Sequence, residues 1–441
     1  MAVTQPVPTR NSSVRVVAAS LAGTTIEWYE FFIYGTAAAL VFGKLFFPTS
    51  DPLVSTLLSL STFALAFVAR PIGGIIFGHF GDRLGRKSML VVTLSLMGGA
   101  TFCIGLLPTY ETIGVAAPIL LVVLRVVQGI SLGGEYGGAV LMSVEHAAHG
   151  RRGFFGALVQ TGAAWGLLLA NIVFLVISRL SDAAFESWGW RVPFLLSVVL
   201  VVLGLLIRLK LAESPDFQKV KQSGEVRRTP IKEVLAKHPV RVALLCLAYV
   251  SSGVTFYIGT VYSLSYGEVH LEVSRDTLLE LVLAVNILTI IGIPFFGWLS
   301  DRVSRKAIFI CGAVGMAVFP YLWFMTLDTK SFGWMLLGFL LLFLPYTANY
   351  GTMPVFFAHA FPPAVRYTGL SLGYTLGTVV GSAMAPIVAT AILNATGDWP
   401  LIAVYMSGAG IVSVVAAIFL TERYAAPEPV VAATSPAGES A

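Results

Sequence analysis

FVARPIGGIIFGHFGDRLGRK, residues 67–87, is the stretch whose reading decides the fold. It starts apolar and glycine-rich, sets Arg70 before Pro71, and ends in a basic cluster around one acid, Asp82. An apolar run that ends in arginine and lysine reads as the last half of a membrane helix entering a tight cytoplasmic turn. The bias of cytoplasmic loops toward positive charge accounts for Arg83, Arg86 and Lys87. It does not account for Asp82 or for the glycines Gly78 and Gly85, so the turn carries a role beyond orienting the chain.

The composition supports that reading. Of 441 residues, 56% are hydrophobic and only 12% charged, with a mean hydropathy of +0.83, too little polar surface to coat a soluble globule of this size. The three cysteines, Cys103, Cys246 and Cys311, are odd in number, far apart and set in apolar runs, so they are assigned to packing rather than to a disulfide framework or a metal site. The net charge of +5 does not point to nucleic acid here, because the basic residues crowd into short loops beside apolar runs. The polar start of the chain, followed by a run holding Glu27 and Glu30, does not read as a signal peptide.

Runs of about 20 apolar residues, enough for a ~30 Å hydrocarbon core, fall near 15–45, 54–81, 88–108, 113–144, 151–180 and 190–210. A second set falls near 240–266, 275–300, 306–326, 332–359, 367–395 and 400–422. The spans at 113–144 and 367–395 are long enough to be tilted or kinked. Residues 1–211 and 239–424 thus form two halves, joined by a polar cytoplasmic linker over 212–238, and the Ala/Pro/Val/Ser-rich tail 425–441 is expected to be disordered. With both termini inside, only Lys44, Arg179, Arg191, Arg275 and Lys330 of the 28 Lys and Arg fall outside, and Arg70 and Arg125 stay within the membrane.

The halves repeat. Gly297-Trp-Leu-Ser-Asp301-Arg302-Val-Ser-Arg305-Lys306 matches Gly78 to Lys87, with Ser304 where Gly85 stands, and Arg152-Gly153 is echoed by Arg366-Tyr-Thr-Gly369. Two six-helix halves in parallel repeat place a substrate site near the midplane between them.

Gly78, Asp82, Arg83, Gly85, Arg86 and Lys87 resemble the loop between helices two and three of the major facilitator superfamily. The longer string with Arg70-Pro71, Gly73-Gly74 and Phe77-Gly78-His79, the first span GTTIEWYEFFIYG (Gly23 to Gly35), and the run from Arg125-Val-Val-Gln128-Gly129 to Gly138 are similar to its metabolite:proton symporter family. In that family the position of Glu30 is usually aspartate. The resemblance implies an all-helical membrane protein of twelve spans in two bundles, working by alternating access. It also implies a gating latch built from Gly78, Asp82, Arg83, Gly85 and Arg86, with Asp301 and Arg302 in the second copy. An acid there suits the positive amino end of a neighbouring helix, and the arginines suit nearby acids.

Ionisable groups within spans are costly, so Glu27, Glu30, Arg70, Arg125 and Glu135 are the functional candidates. Glu27 and Glu30, three residues apart, share a helical face with Gly23 and Tyr34. Depth along the helices pairs Arg125 with Glu27 and Glu30, and Arg70 with Glu135. Three acids against two arginines leave one carboxylate to carry a proton, so Glu27, Glu30, Arg125 and Glu135 are the proton-coupling candidates. The same five charges can instead be structural ion pairs that set helix register. Candidate substrate ligands are Arg125, Arg70, Tyr34, Gln160, Tyr257, Asn286, Tyr346 and Asn349. The histidines at 79, 146, 149, 238 and 359 are expected to be solvated at helix ends or in loops. The aromatics Trp28, Tyr34, Tyr249, Tyr257, Tyr262, Tyr346, Tyr350 and Tyr374 are expected to face lipid for the most part, with about a third lining the cavity.

No Walker glycine loop, catalytic constellation, metal cluster or cofactor motif is present in the sequence. The expected activity is proton-coupled uptake, across a bacterial inner membrane, of a small organic acid with one dominant anionic group. Uptake of a dicarboxylate or of proline or betaine is the alternative, and proton-driven drug export a more distant one. The expected partners are substrate, proton and lipid, with no nucleic acid and the chain acting as a monomer.

Overall fold

The structure is a computed structural model that describes residues 10–48, 52–148, 150–177, 179–422 and 424. The expected disordered tail over 425–441, His149 and Arg423 lie outside the described residues, as do the side chains of Arg10 and Arg275.

The described residues are helical and contain no strand. Bare backbone groups cannot be satisfied in hydrocarbon, so every span closes its hydrogen bonds internally. The first half holds α1 (10–46), α2 (Pro52–Leu84), α3 (Arg86–Leu106), α4 (Ala116–His146), α5 (Arg152–Ile177) and α6 (Val192–Leu209). The connection carries two short helices, α7 (Pro215–Gln222) and α8 (Pro230–Lys237). The second half holds α9 (Pro239–Val269), α10 (Arg275–Leu299), α11 (Arg305–Asp328), α12 (Phe332–Ala358), α13 (Pro363–Thr396) and α14 (Pro400–Phe419). Eleven of the twelve long helices are apolar enough to cross a membrane by composition alone. The twelfth, α1, is diluted by Glu27, Glu30 and its hydroxyl residues, and it crosses because those groups turn inward.

Close approach of α2 and α4 depends on glycine: a Cβ on Gly73 would stand 1.8 Å from the Ile130 carbonyl oxygen, and one on Gly133 2.0 Å from that of Arg70. Despite its glycines, α4 runs unbroken from 116 to 146, whereas α13 is interrupted by a π-helical segment, Thr378–Ala383. Matching segments interrupt α1 at Ala38–Phe42 and α9 at Ile258–Tyr262.

The two copies of the repeated turn differ for a backbone reason. Gly85 has φ +110°, a value that strains any other residue, while Ser304 sits at φ −56° and its hydroxyl accepts from the Ala307 N–H. At Gly85 the cap comes from a distant residue instead: the Glu213 carboxylate accepts from the N–H groups of Arg86 (3.0 Å) and Lys87 (3.2 Å). An added Cβ would stand 2.1 Å from Glu213 Oε2. Gly85→Ala is therefore expected to cost about 1–3 kcal/mol, from backbone strain plus the displaced cap. Ser304→Gly is expected to cost a few tenths, and thermal unfolding of the two variants checks the difference.

Candidate functional site

On the face that carries α7 and α8, here the linker face, the halves are sealed by two related contacts. Asp82, at the end of α2, accepts from the Tyr367 N–H (3.2 Å), the Thr368 N–H (2.9 Å) and the Thr368 hydroxyl (2.8 Å) at the start of α13. Asp301, after α10, accepts from the Gly153 N–H (2.7 Å) and Phe154 N–H (2.9 Å) at the start of α5. Each carboxylate thus crosses to the amino end of a helix in the other half, where unpaired N–H groups and the helix dipole favour negative charge. Each copy of the repeated turn meets the other copy of the repeated Arg-Gly segment. Gly78 packs on the Thr368 backbone, where a Cβ would come within 2.8 Å. Burial pushes the Asp301 carboxyl above the usual aspartate value, opposed by the Phe154 and Gly153 N–H groups. As the pH falls, this acceptor is protonated before an ordinary aspartate would be, and the seal on that side weakens.

A buried charge network reinforces the seal. Arg86 lies 3.6 Å from Asp82 and 3.6 Å from Glu145, and Arg366 pairs with Glu145 (3.3 Å) and with Asp216 of α7 (3.0 Å). Ser214 donates to Glu145, so the connection between the halves is itself tied into the network. Arg83 meets His79 rather than an acid, at 3.5 Å, and Arg302 lies over the Trp298 ring at 3.8 Å. Of the histidines expected to be solvated, His359 and His146 are buried. His359 accepts from Arg305 at 2.8 Å, and burial with Arg366, Arg305 and Arg152 near by lowers its pKa to about 2, so it stays neutral.

The central ion pairs differ from those expected. Arg208 of α6, assigned by sequence to the cytoplasmic loop, is 1% exposed and supplies the missing cation. It reaches Glu27 at 3.2 Å, Glu135 at 3.0 Å and the Leu90 carbonyl at 2.6 Å, and Thr24 adds a bond to Glu135 at 2.9 Å. Arg125 and Arg70 meet no carboxylate among the described residues. Arg125 donates to Gln128 (3.0 Å) and faces the rings of Tyr34, Phe31 and Phe63 at 4.0, 4.6 and 4.9 Å. Arg70 faces Phe67, Phe31 and Trp28 at 4.2, 4.9 and 5.4 Å. Two like charges thus share the Phe31 ring. Ring quadrupoles attract a cation by about 0.5–2 kcal/mol, well short of a counter-ion in a dry interior. Glu30 is fully buried and stands outside these contacts.

A small cavity lies between the halves. From the first half it is lined by Trp28, Arg70 and Gln160, and from the second by Tyr257, Asn286, Tyr346 and further tyrosines. A second cavity shares Arg70, Gln160 and Tyr350 with it and reaches Thr24 and Glu135. Arg70, Gln160, Tyr257, Asn286 and Tyr346 therefore line the space, whereas Arg125, Tyr34 and Asn349 do not. Tyr34 is spent on Thr62 at 2.5 Å, and Asn349 holds helices together by accepting from Ser252 (2.6 Å) and donating to the Phe309 carbonyl (2.9 Å).

The eight aromatics expected mainly at lipid are partly or fully buried, and six of them, Trp28, Tyr249, Tyr257, Tyr346, Tyr350 and Tyr374, line the cavity. Their rings pack on one another or across the halves, as in the Tyr346–Tyr350 stack at 5.3 Å and the Tyr136–Tyr374 stack at 3.4 Å. Sequence reasoning missed Arg208, Glu145, Glu213 and Asp216, because each stands beside a loop where the positive-inside pattern or ordinary solvation explains a charge.

Comparison with known proteins agrees with this architecture. Residues 15–243 match the family described as Sugar (and other) transporter, and residues 270–439 match the Major Facilitator Superfamily. The chain is 38% identical over 415 residues to the shikimate transporter of Escherichia coli K12, covering 92% of this chain and 94% of that one. It is 42% identical to the inner membrane metabolite transport protein YhjE of the same strain, covering 86% and 88%, and 33% identical to its proline/betaine transporter, covering 92% and 83%. The solved structure of the proton:xylose symporter XylE superposes with a TM-score of 0.75 at 18% identity, covering 93% of this chain and 95% of that one. Twelve helices in two repeated halves, sealed by reciprocal aspartate caps around a central cavity, have relatives along almost their whole length, and the chain belongs to the major facilitator superfamily of membrane transporters.

Proposed function

We propose that the protein imports a small organic acid with one dominant anionic group, together with a proton, across a bacterial inner membrane whose cytoplasmic side is the linker face. The observation that carries this reading is Arg70: it is 3% exposed, lines the cavity, lacks a carboxylate, and its Nε and Nη2 have no hydrogen-bond partner. Among the fully buried side-chain atoms of the described residues that line the two cavities, Gln160 Nε2, Tyr257 Oη and Tyr136 Oη also lack a hydrogen-bond partner, and all three can donate. In the first cavity, whose described lining holds no acid, an arginine beside neutral donors favours a carboxylate with a neutral body over a zwitterion. Arg70, rather than Arg125, is the anchor.

The proton belongs to the Arg208 triad in this reading. Glu27 and Glu135 share one arginine, so the triad carries a charge of −1 until one glutamate is protonated. Glu135 lines the cavity that Arg70 also lines, so neutralising it removes a negative charge beside the arriving anion. Proton and substrate then tighten each other's binding by the same factor. The relatives that carry shikimate or proline and betaine, and the fold shared with a proton:xylose symporter, are consistent with a small polar metabolite.

The test is uptake into proteoliposomes over a panel of mono-, di- and zwitterionic acids, with and without a pH gradient. Arg70→Gln is expected to weaken the best substrate by roughly 30- to 1,000-fold, the loss of about 2–4 kcal/mol when a buried charge partner is removed. Glu135→Gln is expected to keep exchange but lose accumulation driven by the pH gradient. Dicarboxylates out-competing every monoacid, or Arg70→Gln binding as the parent does, would overturn the reading.

A further inference from the structure

The seal on the linker face is symmetric in its aspartates and asymmetric in its arginines. Glu145 stands seven residues before Arg152, and His359 seven residues before Arg366, so Glu145 and His359 are counterparts in the repeat as the two arginines are. In the first copy Glu145 lies 3.6 Å from Arg86 and 3.3 Å from Arg366 of the other half. In the second copy the counterpart of Arg86 is Arg305, and it donates to the His359 ring at 2.8 Å. A neutral imidazole thus stands where the first copy has a carboxylate. Glu422 supplies part of the lost charge to Arg305, at 3.7 Å. Nothing supplies it to Arg152, whose guanidinium makes no hydrogen bond or ion pair among the described residues and whose Nε is buried without a partner.

Arg152 borders a cleft, open to solvent, between the start of α5, the start of α13 and α7. The other cations of the cleft are Arg366 and Lys219. Arg366 is spent on Glu145 and on Asp216, the latter at 3.0 Å, so Asp216 is spent as well. Lys219 is exposed and, like Arg152, has no side-chain partner among the described residues. The N–H groups of Gly153 and Phe154 beside Arg152 are taken by Asp301. Of the acids lining the cleft, Glu225 alone is left without a cation among the described residues, and it is exposed at the rim. Two uncommitted cations on different walls, one of them with a buried open donor, are the setting for an oxyanion. A carboxylate would satisfy the guanidinium fork and little else, whereas a tetrahedral phosphate has oxygens for the fork and for an ammonium on another wall.

We propose that this cleft binds a phosphate group, which takes the place of the carboxylate that the second copy of the repeat lacks. Arg152 holds it through its guanidinium fork, and Lys219 holds it from α7. Arg152 belongs to the first half and Arg366, on the opposite wall, to the second, so the cleft has this form only while the linker face is sealed. A bound phosphate therefore favours the sealed state and slows turnover, and sealing tightens phosphate by the same factor. The group comes either as a free phosphate from solution or as the headgroup of an anionic phospholipid. The site is independent of the substrate assignment, because it needs neither Arg70 nor the central cavity.

The experiment follows maleimide labelling of Ser252→Cys, with Cys103, Cys246 and Cys311 replaced by serine, in phosphatidylcholine liposomes oriented with the linker face outward. Potassium phosphate is compared with potassium chloride at equal ionic strength, and phosphatidylglycerol liposomes in chloride form a third arm. If a free phosphate is the ligand, phosphate at ten times its dissociation constant slows labelling by about tenfold, since it binds the sealed state alone. If the headgroup is the ligand, the phosphatidylglycerol liposomes show the slowing in chloride. Either result supports the site and selects its source, provided the slowing is lost in Arg152→Gln and reduced in Lys219→Gln. Glu225→Gln is expected to need several-fold less phosphate for the same effect, because it removes the opposing charge at the rim. Equal labelling in all three arms, or slowing that survives in Arg152→Gln, overturns the proposal. If Arg152→Gln does not fold, Lys219→Gln, altered on the exposed side of α7, decides the same question.

Discussion

Arg208→Gln is expected to destabilise the protein by about 3–5 kcal/mol, because it leaves two fully buried carboxylates without their shared cation. Glu27 and Glu135 depend on this one guanidinium at 3.2 and 3.0 Å. Gly23 confirms how closely the arginine is held, since a Cβ there would stand 2.1 Å from Arg208 Nη2. Thermal unfolding in detergent should show the loss. Adding Glu27→Gln and Glu135→Gln to the same chain removes the stranded charges and should recover most of it, by the non-additivity that contacting residues show. A triple variant no more stable than Arg208→Gln alone would mean that the loss comes from packing of the long side chain rather than from the unpaired acids.

Asp82→Asn is expected to shift the balance between conformations by about 2–3 kcal/mol away from the state sealed on the linker face, roughly 30- to 150-fold in population. The carboxylate accepts three bonds at the start of α13, two of them from backbone N–H groups that no other side chain among the described residues reaches. An asparagine offers one acceptor oxygen and turns an amide donor toward the remaining N–H. The fold should survive, since Asp82 joins halves that must separate during transport in any case. A cysteine placed at Ser252 in the cavity should become more reactive from the linker face and less from the other, with slower turnover. Asp301→Asn should act in the same direction through Gly153 and Phe154, and the two effects should add because the contacts share no partner. Unchanged reactivity in both variants would show that the network of Arg86, Glu145, Arg366 and Asp216 holds the seal unaided.

Periodicity and composition were enough for the twelve helices, their division into two repeated halves and the inward turn of the charged face of α1. These follow from local rules: a dry bilayer admits a helix of a given length, and a charge inside it must turn toward protein. The capping chemistry of Asp82 and Asp301 was legible for the same reason, since an acid in a glycine-rich turn beside helix ends has few other uses. The partners of the buried charges were not legible. Depth along each helix is readable from sequence, but the rotation of six helices about one another is not, and rotation sends Arg208 to Glu27 and Glu135 while it turns Arg70 and Arg125 to aromatic rings. Tyrosines that composition assigns equally well to a membrane interface went to the cavity wall because packing between halves, absent from any local pattern, buries them there. Sequence alone therefore determined that this chain is a two-halved helical membrane protein with acids and arginines in its core; tertiary packing alone decided which charges are satisfied and which are left open to a ligand, because pairing over a few ångströms depends on contacts between residues as far apart in the chain as Glu27 and Arg208.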